Sequence, residues 1–213
     1  MKGIATTGTA ARTPTGILSA EHRNIEKVLA CLERMAEEFE SAGALVPAPA
    51  GDALEFLRTY ADRLHHGKEE AELFPAMERR GIPEHAGPTA VMRAEHVQGR
   101  SLIRAMEEAI PAASRGEDPA RSQWMTAARN YSFMLRQHID KEDHCLFPMA
   151  DQALLAADQV ELAKLFDKVE HEEIGPGVHD KYVRMADALA DRYGVRKNRL
   201  PGGAKSCGCS GHH

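Results

Sequence analysis

The sequence writes one helical motif twice. Residues 65–75 read HHGKEEAELFP and residues 138–148 read HIDKEDHCLFP. The two agree at His65/His138, Lys68/Lys141, Glu69/Glu142, Leu73/Leu146, Phe74/Phe147 and Pro75/Pro148, an offset of 73. A second match falls at nearly the same offset: Ala-Glu-His at 20–22 returns at 94–96. A repeat of this kind describes two supersecondary units that bury their apolar faces against each other. Each unit carries one His on its first helix and a His-x3-Glu on its second.

The chain between these motifs reads as helix. Ala, Glu, Leu, Arg and Met are plentiful while β-branched residues are few, and no segment alternates with period two. Ser19 is the expected cap of a first helix ending near Phe39. Asp52 with Glu55 suggests a second, reaching Arg80, with Pro75 expected to kink it or end it early. Gly87-Pro88 starts a third that ends near Gly116, and Asp118-Pro119 opens a fourth running to Met149. Asp158 with Glu161 suggests a fifth, broken at 175–177 and resuming to Arg192. The expected fold is all-α: an up-down four-helix bundle of two pseudo-repeated hairpins with an additional broken C-terminal helix. The expected divisions are a leader at 1–16, the bundle at 17–150, an accessory helix pair at 151–193 and a Cys/His tail at 194–213.

Side chains four apart lie on one face of a helix. His65 therefore points with Glu69, and His138 with Glu142, while His22 and His96 face the same interior. Four imidazoles and two carboxylates are costly to bury without a shared partner. A pair of metal ions satisfies all six, and a donor set without thiolate suits iron or manganese, zinc less specifically. Two six-coordinate ions offer about twelve positions. Four terminal His and two bridging Glu fill eight of these and a bridging oxide or hydroxide two more, which leaves room for a small ligand only. His66 and Glu70 offer a competing register. Their counterparts are Ile139 and Asp143, and Ile cannot ligate, so Glu70 and Asp143 are read as supporting or surface acids.

The order H…HxxxE…H…HxxxE with KE[ED]xx[LC]FP-like tails resembles the hemerythrin-like (HHE cation-binding) proteins over about residues 17–150. The resemblance implies a four-helix bundle with a non-haem di-iron centre, its ligands carried onto His22, His65, Glu69, His96, His138 and Glu142. It also implies a function with peroxide, oxygen or nitric oxide, catalase-like chemistry included; the alternative is non-enzymatic oxygen or iron binding or sensing. Oxygen-carrying hemerythrins use five His, one Glu and one Asp, and this set departs from theirs.

Other features point to ordinary roles. Cys145 reads as a small buried residue, and Tyr131 and Trp124 as core. His85, His144, His171 and His179 lack repeat partners and read as exposed or locally bonded, although His171 lies on the interrupted fifth helix. Cys207 and Cys209, with the terminal His pair, offer a soft-metal or redox tail. A net charge of −5 gives no footprint for nucleic acid, and neither a phosphate loop nor a GxSxG is present. The opening residues lack the apolar core of a secretion signal, and no stretch is long enough to span a bilayer. The expectation is a cytoplasmic monomer or weak dimer whose partner is a small oxidant or gas.

Overall fold

The computed structural model of the protein describes residues 13–43 and 45–195. Within them are six helices and no strand. Helix α1 spans Pro14–Ala42; α2 runs over 47–79, α3 over Pro88–Ala113 and α4 over 118–153. Helix α5 covers 156–174 and α6 Val178–Arg192. The Cys207/Cys209 tail and most of the expected leader lie outside the described residues.

Connections of a few residues cannot carry the chain back along helices this long, so consecutive helices run antiparallel. Helices α1 and α3 each pack against both α2 and α4, which closes a ring of four. Helices α5 and α6 lie over the α1–α2 side. Among the described residues no helix is long and apolar enough to cross a membrane.

Several boundaries differ from expectation for local reasons. Thr13, not Ser19, caps α1: its hydroxyl accepts from the Gly16 N–H at 3.1 Å, with Pro14 in the first turn. Helix α2 begins at Pro47, ahead of the Asp52–Glu55 pair, because proline already has the φ of a first helical turn. Asp158 is the third residue of α5 rather than its cap, and its carboxylate accepts from the Leu155 N–H at 2.7 Å. The expected break at 175–177 is present, with Gly175 and Gly177 at φ 111° and 77°.

Pro75 and Pro148 do not end their helices. Each follows a π-turn, over Glu69–Leu73 and Glu142–Leu146 respectively. The Phe74 N–H donates to the Glu69 carbonyl and the Phe147 N–H to that of Glu142, five residues back. Widening the turn relieves the clash between the proline ring and the preceding turn and absorbs its missing donor. The repeated Phe-Pro therefore places a π-turn at the same glutamate in both halves.

Two apolar clusters occupy the interior. One runs from Ile25 through Leu57, Trp124 and Leu135 to Leu189; the other gathers Leu18, Leu73, Phe74, Met92, Leu146, Phe147 and Phe166. His22, His65, His96 and His138 fall between them along their helices and form one polar layer between two apolar ones. Trp124 and Tyr131 are buried core, at 0% and 1% exposure.

Candidate metal centre

The six side chains singled out by the repeat meet in the middle of the bundle, and none is more than 1% exposed. His22 Nε2 lies 3.0 Å from His65 Nε2, and His96 Nε2 lies 3.1 Å from His138 Nε2. The two glutamates join these pairs. Glu142 Oε2 is 3.2 Å from His22 Nε2 and its Oε1 is 3.2 Å from His138 Nε2. Glu69 Oε1 is 3.5 Å from His65 Nε2 and its Oε2 is 3.5 Å from His96 Nε2. Each carboxylate thus touches one imidazole of each pair, an arrangement with the two-fold symmetry of the repeat.

The outward nitrogens are held as consistently. His22 Nδ1 donates to Asp143 at 2.8 Å and His65 Nδ1 to Glu21 at 2.9 Å. His96 Nδ1 donates to Glu70 at 2.7 Å and His138 Nδ1 to Glu95 at 2.8 Å. A carboxylate only accepts, so each Nδ1 carries the proton and each Nε2 turns inward. Every one of these acids is itself paired with a cation: Asp143 with Arg23, Glu21 with Lys68, Glu70 with Arg100 and Glu95 with Lys141. Lys68 is fully buried and also reaches Glu170 on α5.

The repeat therefore has a reason at nearly every position. Its lysine holds the glutamate of Ala-Glu-His, and that glutamate holds the motif's histidine. The second acid (Glu70 or Asp143) holds the histidine of the other hairpin. The phenylalanine stacks on that same ring: Phe147 on His22 with centroids 5.4 Å apart, and Phe74 on His96 at 6.0 Å. Glu21 and Glu95 were not among the residues singled out, although their recurrence beside His22 and His96 was visible in the sequence.

His66, set aside on sequence grounds, is buried and belongs to the cluster: a ring nitrogen lies within 4.8 Å of donor atoms of Glu69, His96 and His138. Its ring stacks on His96, with centroids 3.8 Å apart and planes 13° from parallel. Stacked rings direct their nitrogens side by side rather than toward one point. Cys145 is half-buried on α4. His85, His144 and His171 are exposed, while His179 hydrogen-bonds Tyr60 at 3.2 Å.

The electrostatics fit a cation. None of the four oxygens of Glu69 and Glu142 makes a hydrogen bond, although all are buried. Burial and the neighbouring Glu142 carboxylate push Glu69 well above the usual carboxylate range. Burial acts the same way on Glu142, but His138 and His22 outweigh it and hold this carboxyl well below that range. Within each imidazole pair one ring is favoured as the cation. Burial opposes charge on His22 and His138, yet the acids facing them raise both, His138 to about 9. Burial lowers the partner rings His65 and His96. Protons thus gather where Nε2 lone pairs and carboxylates converge, the same place where two tetrads of donors can each hold a metal ion: His22, His65, Glu69 and Glu142 on one side, and His96, His138, Glu69 with His66 on the other.

Comparison with known proteins agrees with this geometry. The family model described as the hemerythrin HHE cation-binding domain matches residues 13–150. An uncharacterized protein of Mycobacterium bovis is 28% identical over 146 residues, 68% of this chain and 55% of its own length. Two uncharacterized Mycobacterium tuberculosis proteins match with the same values, so the aligned region spans about half the length of these relatives. No solved structure shows a significant match.

Proposed function

Because the chain belongs to the hemerythrin HHE cation-binding family, we propose that His22, His65, Glu69, His96, His138 and Glu142 hold two iron ions that react with a small oxidant: peroxide, dioxygen or nitric oxide. The observation that carries this reading is the four orphaned carboxylate oxygens, each facing an imidazole Nε2 in a layer closed to solvent. Ionising Glu69 here is costly, because burial and the neighbouring Glu142 push its carboxyl well above the usual range. Cations held by these carboxylates and the imidazoles facing them would remove that cost. Imidazole and carboxylate donors without thiolate favour iron over softer ions, with manganese and zinc as competitors.

Two iron ions held there would supply two-electron redox chemistry. The residues of this chain prepare the site for them. The outer carboxylates fix the imidazole tautomers and raise their basicity, and the cations behind those carboxylates keep them in place. Glu69 and Glu142 set the spacing of the two halves, and Phe74 and Phe147 keep water away from the ligand rings. Eight donor atoms from protein leave few positions for anything else, which restricts the reactant to a molecule of a few atoms. The proposed setting is the cytoplasm, where Cys31 and Cys145 stay reduced, with the chain acting as a monomer or weak dimer and without nucleic acid or membrane.

One observation favours a second reading, binding or sensing without turnover. Glu170 on α5 joins Lys68, Glu21 and His65 in one chain of contacts. A change at the centre can therefore reach the C-terminal helices.

The experiment is metal analysis of purified protein with its visible spectrum before and after peroxide, dioxygen or nitric oxide. Iron with oxygen evolution from peroxide supports the redox reading. A reversible oxygenated band supports binding. Colourless protein with two zinc ions contradicts both.

A further inference from the structure

The two halves of the bundle repeat each other closely at the centre, and they part company along one cleft. This cleft lies between α2, α3 and α4 and is narrow, with a volume of about 10 Å³, close to that of one water-sized sphere. It is lined by Asp62, His66, Gly99, Arg100, Tyr131 and Met134, with His96 also on its wall. At the offsets of 73 and 74 that relate the two halves, Asp62 corresponds to Leu135, His66 to Ile139, Gly99 to Ile25 and Arg100 to Glu26. Ile25 and Ile139 are at most 3% exposed, and Leu135 lines the cleft itself. The positions that carry a glycine and a histidine on the cleft side thus carry two buried isoleucines on the other.

Gly99 is the pivotal position. It sits inside α3, where glycine is less stable than alanine, and its φ is not one that requires glycine. A Cβ there would lie 3.3 Å from Met134 Cε and 3.5 Å from Tyr131 Cε2, inside the cleft. Glycine lets the Met134 and Tyr131 side chains close in against α3, and a larger side chain would have to push them into the cleft. The His66 ring lines the cleft and has a nitrogen within 4.8 Å of donor atoms of Glu69, His96 and His138.

We infer that this cleft is the route by which the small ligand reaches the metal centre, that Gly99 sets its width, and that the opposite half of the bundle is closed. The ligand class is a neutral or singly charged molecule of two to four atoms. The inference rests on the metal reading above, and its test separates the two. Azide, a linear triatomic anion, serves as the probe for iron-loaded protein, followed by the visible band it produces.

Gly99→Leu is expected to retain the iron content of the wild type while azide associates more slowly by roughly tenfold. Met134→Ala, which widens the mouth, is expected to speed association by a similar factor, and it decides the matter if the leucine variant fails to fold. Ser101→Leu, on the exposed face of the same helix, should match the wild type. Unchanged azide rates in both cleft variants at unchanged iron content overturn the route and leave the metal reading standing. Wild-type protein that takes up no metal overturns both.

Discussion

Glu21 accepts a hydrogen bond from His65 at 2.9 Å across two helices, although 44 residues separate them in the chain. The same contact recurs between Glu95 and His138 at 2.8 Å. These two glutamates are the middle letters of the repeated Ala-Glu-His. Each sits between a lysine and an imidazole, so its charge is both held in place and used. Glu21→Gln and Glu95→Gln keep the shape and weaken the pull on Nδ1. Each is expected to reduce metal affinity by about 10- to 100-fold, measured by competition with a chelator of known affinity. An unchanged affinity in both would mean that the outer carboxylates only pack.

The protons held by the centre predict its pH dependence. Burial works against charge on His138, but Glu142 and Glu95 outweigh it and raise its pKa from 6.5 to about 9. A folded-state value above the unfolded one gives stability that is fully present below about pH 6.5 and lost as pH rises through about 9. Metal-free protein should therefore lose up to about 3 kcal/mol across this window. Metal must displace the same proton, so apparent affinity should climb over the same range and then level off. Denaturant titrations of metal-free protein and metal titrations, each at pH 6.5, 7.5 and 9, check the two slopes. Parallel slopes would contradict the assignment.

Lys68 is a buried cation tied to two acids on two other helices. Removing it leaves Glu21 buried, with His65 as its remaining hydrogen-bond partner. Lys68→Ala is expected to cost about 3–5 kcal/mol. Glu170→Gln leaves the Lys68–Glu21 pair intact and is expected to cost about 1 kcal/mol. Thermal unfolding of both variants tests this ranking, and equal losses would show that α5 and Glu21 hold Lys68 to the same degree.

Much of this architecture is legible in the sequence because the information is local or duplicated. Pro88 and Pro119 mark helix starts through fixed φ, and the offsets of 73 and 74 align all four elements that carry donors. Periodicity fails where the helix itself changes pitch. The π-turns at Glu69 and Glu142 each run into a proline, so Pro75 reads as a break although the chain runs on through it. The place of His66 in the cluster is hidden for a different reason. Alignment of the halves presumes symmetry, and His66 is one of the places where the halves differ. Glu21 and Glu95 were in plain view, but their role depends on which helix stands opposite, and that is a property of packing.

The central claim is that two carboxylates join two pairs of imidazoles around two cations. The most direct measurement is the metal content per chain of wild-type protein and of the Glu69→Ala, Glu142→Ala double variant, loaded and desalted identically. Two iron ions in the wild type and fewer than one in the variant is the predicted result. Equal metal content in both proteins would contradict it.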